Sequence, residues 1–372
     1  MDNFIENLLP GEELVTLQLR SLYEKHGYAK YTASKFEPYE IYAENRNFLG
    51  DTGMITFTDR SGRLMALKPD ITTGMIKNTA PDARARKLYY CENVFRADRA
   101  TGEFNEIRQT GLEYIGGDGS YAECEVVYLA LESLDAISKD NILAISHMGY
   151  IMPLAEHYGL DTRSRTALLE AIKQKSASGA YSAAADAGIP DSDAKHIAKI
   201  AVLSGSYKDT CKSLRALSLN EAMRCAADET EMLCRALEGF GCRENRINID
   251  MSVINDFAYY NGLVFRGYIR SIARSVLSGG RYDAMMRRLG KPQPAIGFAL
   301  YLGELDRFLH REKKYDADVL LIYENAPAYD VACEVRRLTG EGMSVIAFPD
   351  ADPAVKAKLT VRLDGKGDGK NA

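Results

Sequence analysis

The spacing of apolar residues divides the chain into regions of helical and of alternating periodicity. Between Glu12 and Lys25, apolar residues recur every three or four positions among charged ones, which predicts an amphipathic helix that His26-Gly27 ends. From Tyr39 to Glu92, short apolar segments alternate with turn clusters, and this pattern predicts antiparallel strands. The same pattern continues over Glu103 to Ile115, whereas Tyr121 to Ile137 predicts a buried helix.

The second half of the chain changes character twice. Residues 160–239 are rich in Ala, Ser and Lys, with apolar positions spaced as in amphipathic helices, so we predict an all-helical insertion there. Strict alternation resumes over Ile247 to Met251, and a strand, helix and strand pattern follows residue 313. The prediction is an α+β fold. Its parts are a core of residues 1–159 and 240–312, a helical insertion at 160–239, and a short α/β unit with a flexible tail at 313–372.

Composition narrows the possible functions. The 372 residues are 46% hydrophobic and carry a net charge of −5, so no global basic field attracts nucleic acid. The seven cysteines form no CxxC pair, which favours reduced thiols and a cytoplasmic protein. No apolar run approaches the roughly 18 residues that span a bilayer. The five histidines show no metal-ligand spacing, and phosphate-loop and dinucleotide fingerprints are absent, so neither a metal nor a cofactor is predicted.

Four separated segments resemble the catalytic core of histidyl-tRNA synthetase, in the order that this family shows. They are Leu67-Lys68-Pro69-Asp70-Ile71-Thr72, the two halves of a hairpin at residues 93–99 and 102–114, the tyrosine-containing segment at 249–265, and Ser278-Gly279-Gly280-Arg281-Tyr282-Asp283. Taken one at a time, each has a plainer explanation: a proline-stiffened turn, a solvated hairpin, or aromatic filling of the core. The resemblance implies the antiparallel sheet of class II synthetases, flanked by helices.

The resemblance also implies a pocket shaped for histidine. In the family, the acid at the position of Asp70 takes the amino group of the amino acid, and the arginine at Arg96 holds a carboxylate or a phosphate. Side chains alternate along a strand, so Gln109 and Glu113 point to the same face and can converge on one ligand. The full set of predicted pocket residues is Asp70, Thr72, Arg96, Gln109, Glu113, Tyr259, Tyr260 and Tyr282.

Other positions depart from the synthetase pattern. Asn255 stands where the family has its catalytic arginine, and Glu304 stands where the third class II signature has another. Asp256 and Ala258 replace a glycine and an aspartate of the same motif. Loss of one preorganised electrostatic donor typically costs on the order of 10²–10³ in rate, and carboxylates repel phosphate. We therefore expect no ATP binding, no amino-acid activation and no catalytic residues.

A synthetase-like chain without adenylation resembles the family of ATP phosphoribosyltransferase regulatory subunits. That resemblance implies a catalytic subunit of the short-form transferase as partner in a hetero-oligomer, activation of that partner, and a part in feedback inhibition by histidine. It also implies a homodimer of the core, although Ser34 occupies the position of a proline at the family's dimer interface. A segment after Lys313 that is much shorter than the anticodon-binding domain of the synthetases argues against recognition of transfer RNA.

Two alternatives stay open at this point. An active histidyl-tRNA synthetase would catalyse histidine-dependent exchange of pyrophosphate into ATP. An RNA-binding module on a synthetase core would need a local basic patch, and the densest runs, Arg84-Ala85-Arg86-Lys87 and Arg287-Arg288, are short.

Overall fold

A computed structural model describes residues 11–43, 53–79, 84–98, 101–117, 119–254, 260–305 and 314–363. These residues form two compact units, within Met1–Leu309 and His310–Ala372. In the described ranges, every helix is too short or too polar to cross a membrane.

The elements are numbered along the chain. The helices are α1 Gly11–Lys25, α2 Glu40–Ala43, α3 Ile71–Asn78, α4 Ser120–Ile137, α5 Met148–His157, α6 Thr162–Lys173, α7 Ala177–Asp186, α8 Asp191–Ala201, α9 Tyr207–Leu217, α10 Glu221–Gly239, α11 Asp283–Arg288 and α12 Ala328–Gly340. The strands are β1 Ala29–Lys30, β2 Phe36–Pro38, β3 Thr56–Thr58, β4 Leu64–Leu67, β5 Arg86–Ala97, β6 Phe104–Ile115, β7 Asn141–His147, β8 Ser204–Gly205, β9 Ile247–Asp250, β10 Leu263–Ile269, β11 Leu277–Arg281, β12 Ala295–Tyr301, β13 Ala317–Ile322, β14 Val345–Phe348 and β15 Ala357–Arg362.

A nine-stranded sheet organises the first unit. Its strand order is β1-β5-β6-β12-β11-β10-β7-β9-β8, and the long hairpin of β5 and β6 pairs antiparallel from Arg86↔Ile115 to Ala97↔Phe104. Helices α1 and α4 pack on one face, where residues such as Leu19 and Leu134 are fully buried. A second, smaller core contains residues of α3, α11 and alternate positions of β5, including Tyr90 and Val94. The predicted α+β class is confirmed.

A three-stranded sheet, in the order β2-β4-β3, precedes α3 in the chain. Its inner positions, Glu37 and Ala66, pair in register and are buried. Phe36 and Phe57 stay largely exposed, and their rings meet edge to face at 5.5 Å. This small sheet brings an acidic side chain beside α3, which matters for the site below.

The predicted helical insertion contains helices α6 to α10, but it is not purely helical. Ser204 and Gly205 form β8, which pairs antiparallel with Asp250 and Ile249 of β9 and so extends the main sheet. A strand of two residues is too short to show a periodicity, which is why the sequence pattern missed it. Lys175, an insertion residue, also forms an ion pair with Asp250 at 2.7 Å.

The second unit is a parallel sheet in the order β14-β13-β15 with one helix, α12. The central strand β13 is buried because it has a neighbour on each side. At its start, Asp318 accepts hydrogen bonds from Ser344 and Lys358, and these partners lower the pKa of its carboxyl. The strand, helix and strand predicted after residue 313 are present.

Candidate functional site: a buried carboxylate among tyrosines

The site lies over a stretch of sheet where two neighbouring strands carry glycine. Glu113 on β6 is directly opposite Gly297 on β12, which is in turn opposite Gly280 on β11. A Cβ atom at Gly297 would overlap the Glu113 carboxylate, and one at Gly280 would lie 2.6 Å from the Tyr260 ring. The missing side chains therefore leave the space that Glu113 and Tyr260 occupy.

Glu113 is the centre of this site. Its side chain is 2% exposed and accepts two hydrogen bonds, from Thr72 Oγ1 at 2.7 Å and from the Tyr282 hydroxyl at 2.5 Å. The pKa of Glu113 is raised to about 8: burial raises it most, the hydroxyl donors Tyr282 and Thr72 lower it, and the charge of the nearby Asp70 raises it. A carboxyl with such a pKa can exchange a proton with a ligand near neutral pH.

Helix α3 delivers Asp70 and Thr72 to the site. Asp70 is the N-cap of α3, and its Oδ2 accepts a hydrogen bond from the backbone N–H of Thr73 at 2.7 Å. This cap fixes the first turn, so the Thr72 hydroxyl points at Glu113. The Asp70 carboxylate thus has a structural task at the start of a helix, where the helix dipole favours negative charge.

A second buried acid, Glu37, lies against the same helix. Its carboxylate accepts a short hydrogen bond from Tyr42, whose hydroxyl is also 3.2 Å from the backbone oxygen of Asp70. A Cβ atom at Gly74 of α3 would lie 3.0 Å from both Glu37 oxygens. Burial raises the pKa of Glu37, the hydrogen bond from Tyr42 and the charge of Lys68 lower it, and the charge of Asp70 raises it again. Sequence reasoning missed Glu37, because the residue lies outside the motifs that carry the resemblance.

Tyrosines form much of the remaining wall. Tyr282 and Tyr90 are buried, Tyr260 is half-buried, and burial raises the pKa of Tyr90 and Tyr260 well above 10. These rings therefore stay neutral and offer hydroxyl and aromatic contacts. Tyr90 was not predicted as a site residue. Its side chain lies on the same face of β5 as Val94, and this face packs into the smaller core. A Cβ atom at Gly111 would lie 2.7 Å from the hydroxyl oxygen of Tyr90.

The structure places most other predicted residues in the same region. Arg96 donates from Nε to the backbone oxygen of Pro69 at 2.9 Å, so it supports the turn that leads into Asp70. Gln109 is buried on β6, four residues before Glu113 and on the same face. Tyr259 lies outside the described residues, as do Asn255, Asp256, Ala258 and the side chain of Glu304.

Arg281 and Asp283, which flank Tyr282 and were not predicted as site residues, hold this tyrosine in place. Arg281 donates to Asp283 at 2.7 Å and to Glu123 of α4 at 2.8 Å. Asp283 also accepts a hydrogen bond from the backbone N–H of Ala295 at 3.0 Å. The Gly-Gly-Arg-Tyr-Asp segment therefore fixes a tyrosine between a helix and two strands. Among the described residues, no group of three His, Cys, Asp or Glu could hold a metal ion.

Comparison with known proteins assigns this architecture to a family. Residues 6–305 match the family described as histidyl-tRNA synthetase. The chain is 27% identical over 355 residues to the ATP phosphoribosyltransferase regulatory subunit of Thermoanaerobacter pseudethanolicus, covering 92% of each chain.

Two solved structures share the fold. One is an ATP phosphoribosyltransferase regulatory subunit/histidyl-tRNA synthetase from Bacillus halodurans, with TM-score 0.79 and 22% identity over 96% of this chain and 95% of that one. The other is a chain of an ATP phosphoribosyl transferase (HisG:HisZ) complex from Thermotoga maritima, with TM-score 0.61 and 19% identity over 77% of this chain and 96% of that one. The resemblance predicted from the four motifs is confirmed, and the chain belongs to the histidyl-tRNA synthetase family.

Proposed function

We propose that this chain is a regulatory subunit of ATP phosphoribosyltransferase in histidine biosynthesis, and that it has no catalytic activity of its own. In this proposal it joins the catalytic subunit of a short-form transferase, activates it and takes part in its inhibition by histidine. The observation that carries the proposal is the similarity to such subunits over 92% of both chains. The complex from Thermotoga maritima supports a hetero-oligomeric partner.

The charges in the sequence support a subunit that does not activate amino acids. Asn255 and Glu304 stand where the synthetase pattern has arginines, and Asp256 adds another acid. Near a triphosphate, a carboxylate at roughly 4 Å costs about 4 kcal/mol at an effective dielectric constant of 20. The pocket residues Thr72, Glu113 and Tyr282, in contrast, are linked by hydrogen bonds. Such a protein retains a ligand site and loses the nucleotide chemistry.

We assign histidine to the site around Glu113. The Glu113 carboxyl, which holds a proton below about pH 8, can donate a hydrogen bond to an imidazole nitrogen or pass it the proton, and neutral tyrosine rings can pack on the faces of the imidazole. Asp70 and Glu37 add negative charge, which favours a ligand with a protonated amine. Arg96 donates to the Pro69 oxygen through Nε, and we assign the ligand carboxylate to the NH2 groups of the same guanidinium.

An activation assay tests the proposal. The chain is mixed with the catalytic subunit of a short-form ATP phosphoribosyltransferase, and formation of phosphoribosyl-ATP is followed with and without histidine. We expect stimulation by the chain and inhibition by histidine. Coupling between an effector site and a partner is typically about 1–3 kcal/mol, which corresponds to changes of roughly 5-fold to 150-fold in affinity. No stimulation, together with histidine-dependent pyrophosphate exchange by the chain alone, would establish an active synthetase instead.

A titration separates the pocket from the assembly. Calorimetry with histidine is performed on the wild-type chain and its complex, and on Tyr282→Phe, which removes one donor to Glu113 and keeps the ring. Tyr329→Phe, at a tyrosine that is 78% exposed in the second unit, is the matched control. We expect weaker binding only for Tyr282→Phe. Absence of histidine binding to both the wild-type chain and its complex would reject the pocket, while the activation assay would still stand on its own.

The core is also proposed to form a homodimer within the hetero-oligomer, as the resemblance implies. Sedimentation velocity on the chain alone measures this directly. A monomer at micromolar concentration, which then assembles only with the catalytic subunit, would contradict the dimer and leave the regulatory role untouched.

A further inference from the structure

The helical insertion contacts the core at the end of strand β7. Glu229 of α10 lies there against His147, with 3.2 Å between Glu229 Oε2 and His147 Nε2. The His147 side chain is 10% exposed, whereas that of Glu229 is 64% exposed. The hydrogen bond with His147 is the largest influence on the Glu229 carboxyl and lowers its pKa, burial opposes this, and the charge of Arg281 adds to the lowering. The contact therefore joins an acid of the insertion to a buried ring of the core, within the electrostatic range of Arg281.

His147 also begins helix α5. Its Nδ1 accepts a hydrogen bond from the backbone N–H of Gly149 at 3.1 Å, which makes the ring the N-cap of this helix. A ring nitrogen that accepts carries no proton, so the proton of the neutral ring is on Nε2 and is donated to Glu229. A Cβ atom at Gly149 would lie 2.9 Å from Nδ1, so glycine leaves the room for this approach. One imidazole thus ties α10 of the insertion to the first turn of α5.

Backbone hydrogen bonds connect the start of α5 to strand β11. Met148 N donates to the oxygen of Gly262 at 2.8 Å, and Asn261 N donates to the oxygen of Arg281 at 3.1 Å. A Cβ atom at Gly262 would lie 3.1 Å from Cδ of Arg281, so this backbone also packs against the arginine side chain. The dipeptide Asn261-Gly262 is therefore held between the two elements, and a displacement of the first turn of α5 is passed to the main chain of Arg281.

The route ends at the histidine site. Tyr282 follows Arg281 in the chain and donates its hydroxyl to Glu113 at 2.5 Å. Every link between Glu229 and Glu113 is thus a hydrogen bond or a covalent neighbour. Among the described residues, neither Glu229 nor His147 bonds to Glu113 itself, so any action of the insertion on the site is indirect.

We propose that Glu229 is a positioning residue of the histidine site: through His147 it fixes the segment that carries Tyr282, and so the helical insertion sets the affinity for histidine. This inference rests on the proposed assignment of histidine to the site around Glu113. By thermodynamic reciprocity, histidine in that site must in turn stabilise the docked position of the insertion. The insertion thereby responds to the occupancy of the site.

Histidine titrations by calorimetry on full-length variants test the role of Glu229. Glu229→Ala removes the acceptor of His147, and we expect histidine to bind about fivefold more weakly, an effect in the range for residues that act on a site through intermediates. Glu229→Gln keeps an oxygen that accepts from Nε2 and should retain the wild-type affinity. Glu221→Ala is the matched control, because this acid of the same helix pairs with Arg224 at 2.9 Å on the exposed surface. Equal losses in Glu229→Ala and Glu221→Ala would contradict a specific contact.

A double-mutant cycle tests whether the effect runs through His147. His147→Asn keeps a side chain that caps α5 well but is too short to reach Glu229, so we expect the same loss of histidine affinity as in Glu229→Ala. The double variant should lose no more than either single variant, because both remove one contact. Losses that add in the double variant would show that the two residues act separately and would overturn the route.

Hydrogen exchange reports the reciprocal effect. Histidine should slow amide exchange in α10 of the wild-type chain and of Glu229→Gln, and should leave α10 of Glu229→Ala unchanged. A wild-type chain that binds histidine with the same affinity as Glu229→Ala, and without protection of α10, would overturn this inference and leave the histidine site intact. Absence of histidine binding to the wild-type chain and to its complex would reject the site and this inference together.

Discussion

The hairpin of β5 and β6 contributes to the burial of an ionisable group in two different ways. At the histidine site, Glu113 is 2% exposed and has hydroxyl donors from Thr72 and Tyr282 but no cation within hydrogen-bond distance among the described residues. At the edge of β5, Lys68 is 1% exposed and is paired directly with Glu92. The first group reduces the cost of burial by taking up a proton, and the second by forming an ion pair. A change in solution pH should therefore alter the stability of the histidine site. Removal of one partner should instead destabilise the region of the Lys68–Glu92 pair.

The largest expected effect comes from breaking the ion pair between Lys68 and Glu92. Lys68→Met leaves the Glu92 carboxylate largely buried without its partner, and we expect a loss of about 3 kcal/mol in the free energy of unfolding. Urea denaturation measures it. Lys195→Met is the control, because the exposed Lys195–Asp191 pair has the same 2.7 Å distance and should cost less than about 0.5 kcal/mol. Similar losses in both variants would contradict the distinction between buried and exposed pairs.

A second variant fills the hollow beneath Glu113. Gly297→Ala places a methyl group where the carboxylate lies, and overpacking of this kind costs about 2 kcal/mol. Gly303→Ala, at a glycine with open space around its Cβ position, should stay within about 0.5 kcal/mol of wild type. Thermal unfolding compares them. An unaffected Gly297→Ala protein with full histidine affinity would mean that Glu113 does not need this space.

The free energy of unfolding should depend on pH through Glu113 at the histidine site. The pKa of Glu113 is about 8 in the folded protein and near 4.5 in an unfolded chain, so the folded state holds the extra proton between these values. The contribution of Glu113 to the free energy of unfolding is fully present below about pH 4.5. It decreases as the pH rises through 8, by up to about 1.4 kcal/mol per pH unit. Glu113→Gln should flatten that slope in urea denaturation between pH 5 and pH 8. Glu103→Gln, on the exposed hairpin turn, should keep it.

The smallest expected effect is the loss of one neutral donor. Thr72→Val keeps the shape of the side chain but leaves Glu113 with the Tyr282 donor alone, and we expect a loss of about 1 kcal/mol. Histidine affinity should fall as well. Thr166→Val, whose hydroxyl bonds to the backbone of an exposed helix, should cost only a few tenths of a kcal/mol. Equal losses in the two variants, measured by urea denaturation, would remove Thr72 from the site.

The sequence predicted the parts of the site that lie within single elements. The placement of Gln109 and Glu113 on one face follows from strand alternation. Helix α3, whose N-cap is Asp70, was not predicted, because the pattern from Tyr39 to Glu92 indicated strands. Glu37 and Tyr90 could not be predicted in this way, because their place depends on which elements pack together. The two-residue strand β8 was missed for a related reason: its pairing with β9 is a contact between distant segments and leaves no local periodicity.

The position of Lys68 joins the two regions. Its backbone bonds to Phe95 and Lys35, its side chain pairs with Glu92, and Asp70 caps the start of helix α3 two residues later. The ion pair and the histidine site thus share one short stretch of main chain. A change in the Lys68–Glu92 pair therefore reaches the first turn of α3 and the Thr72 hydroxyl that bonds to Glu113.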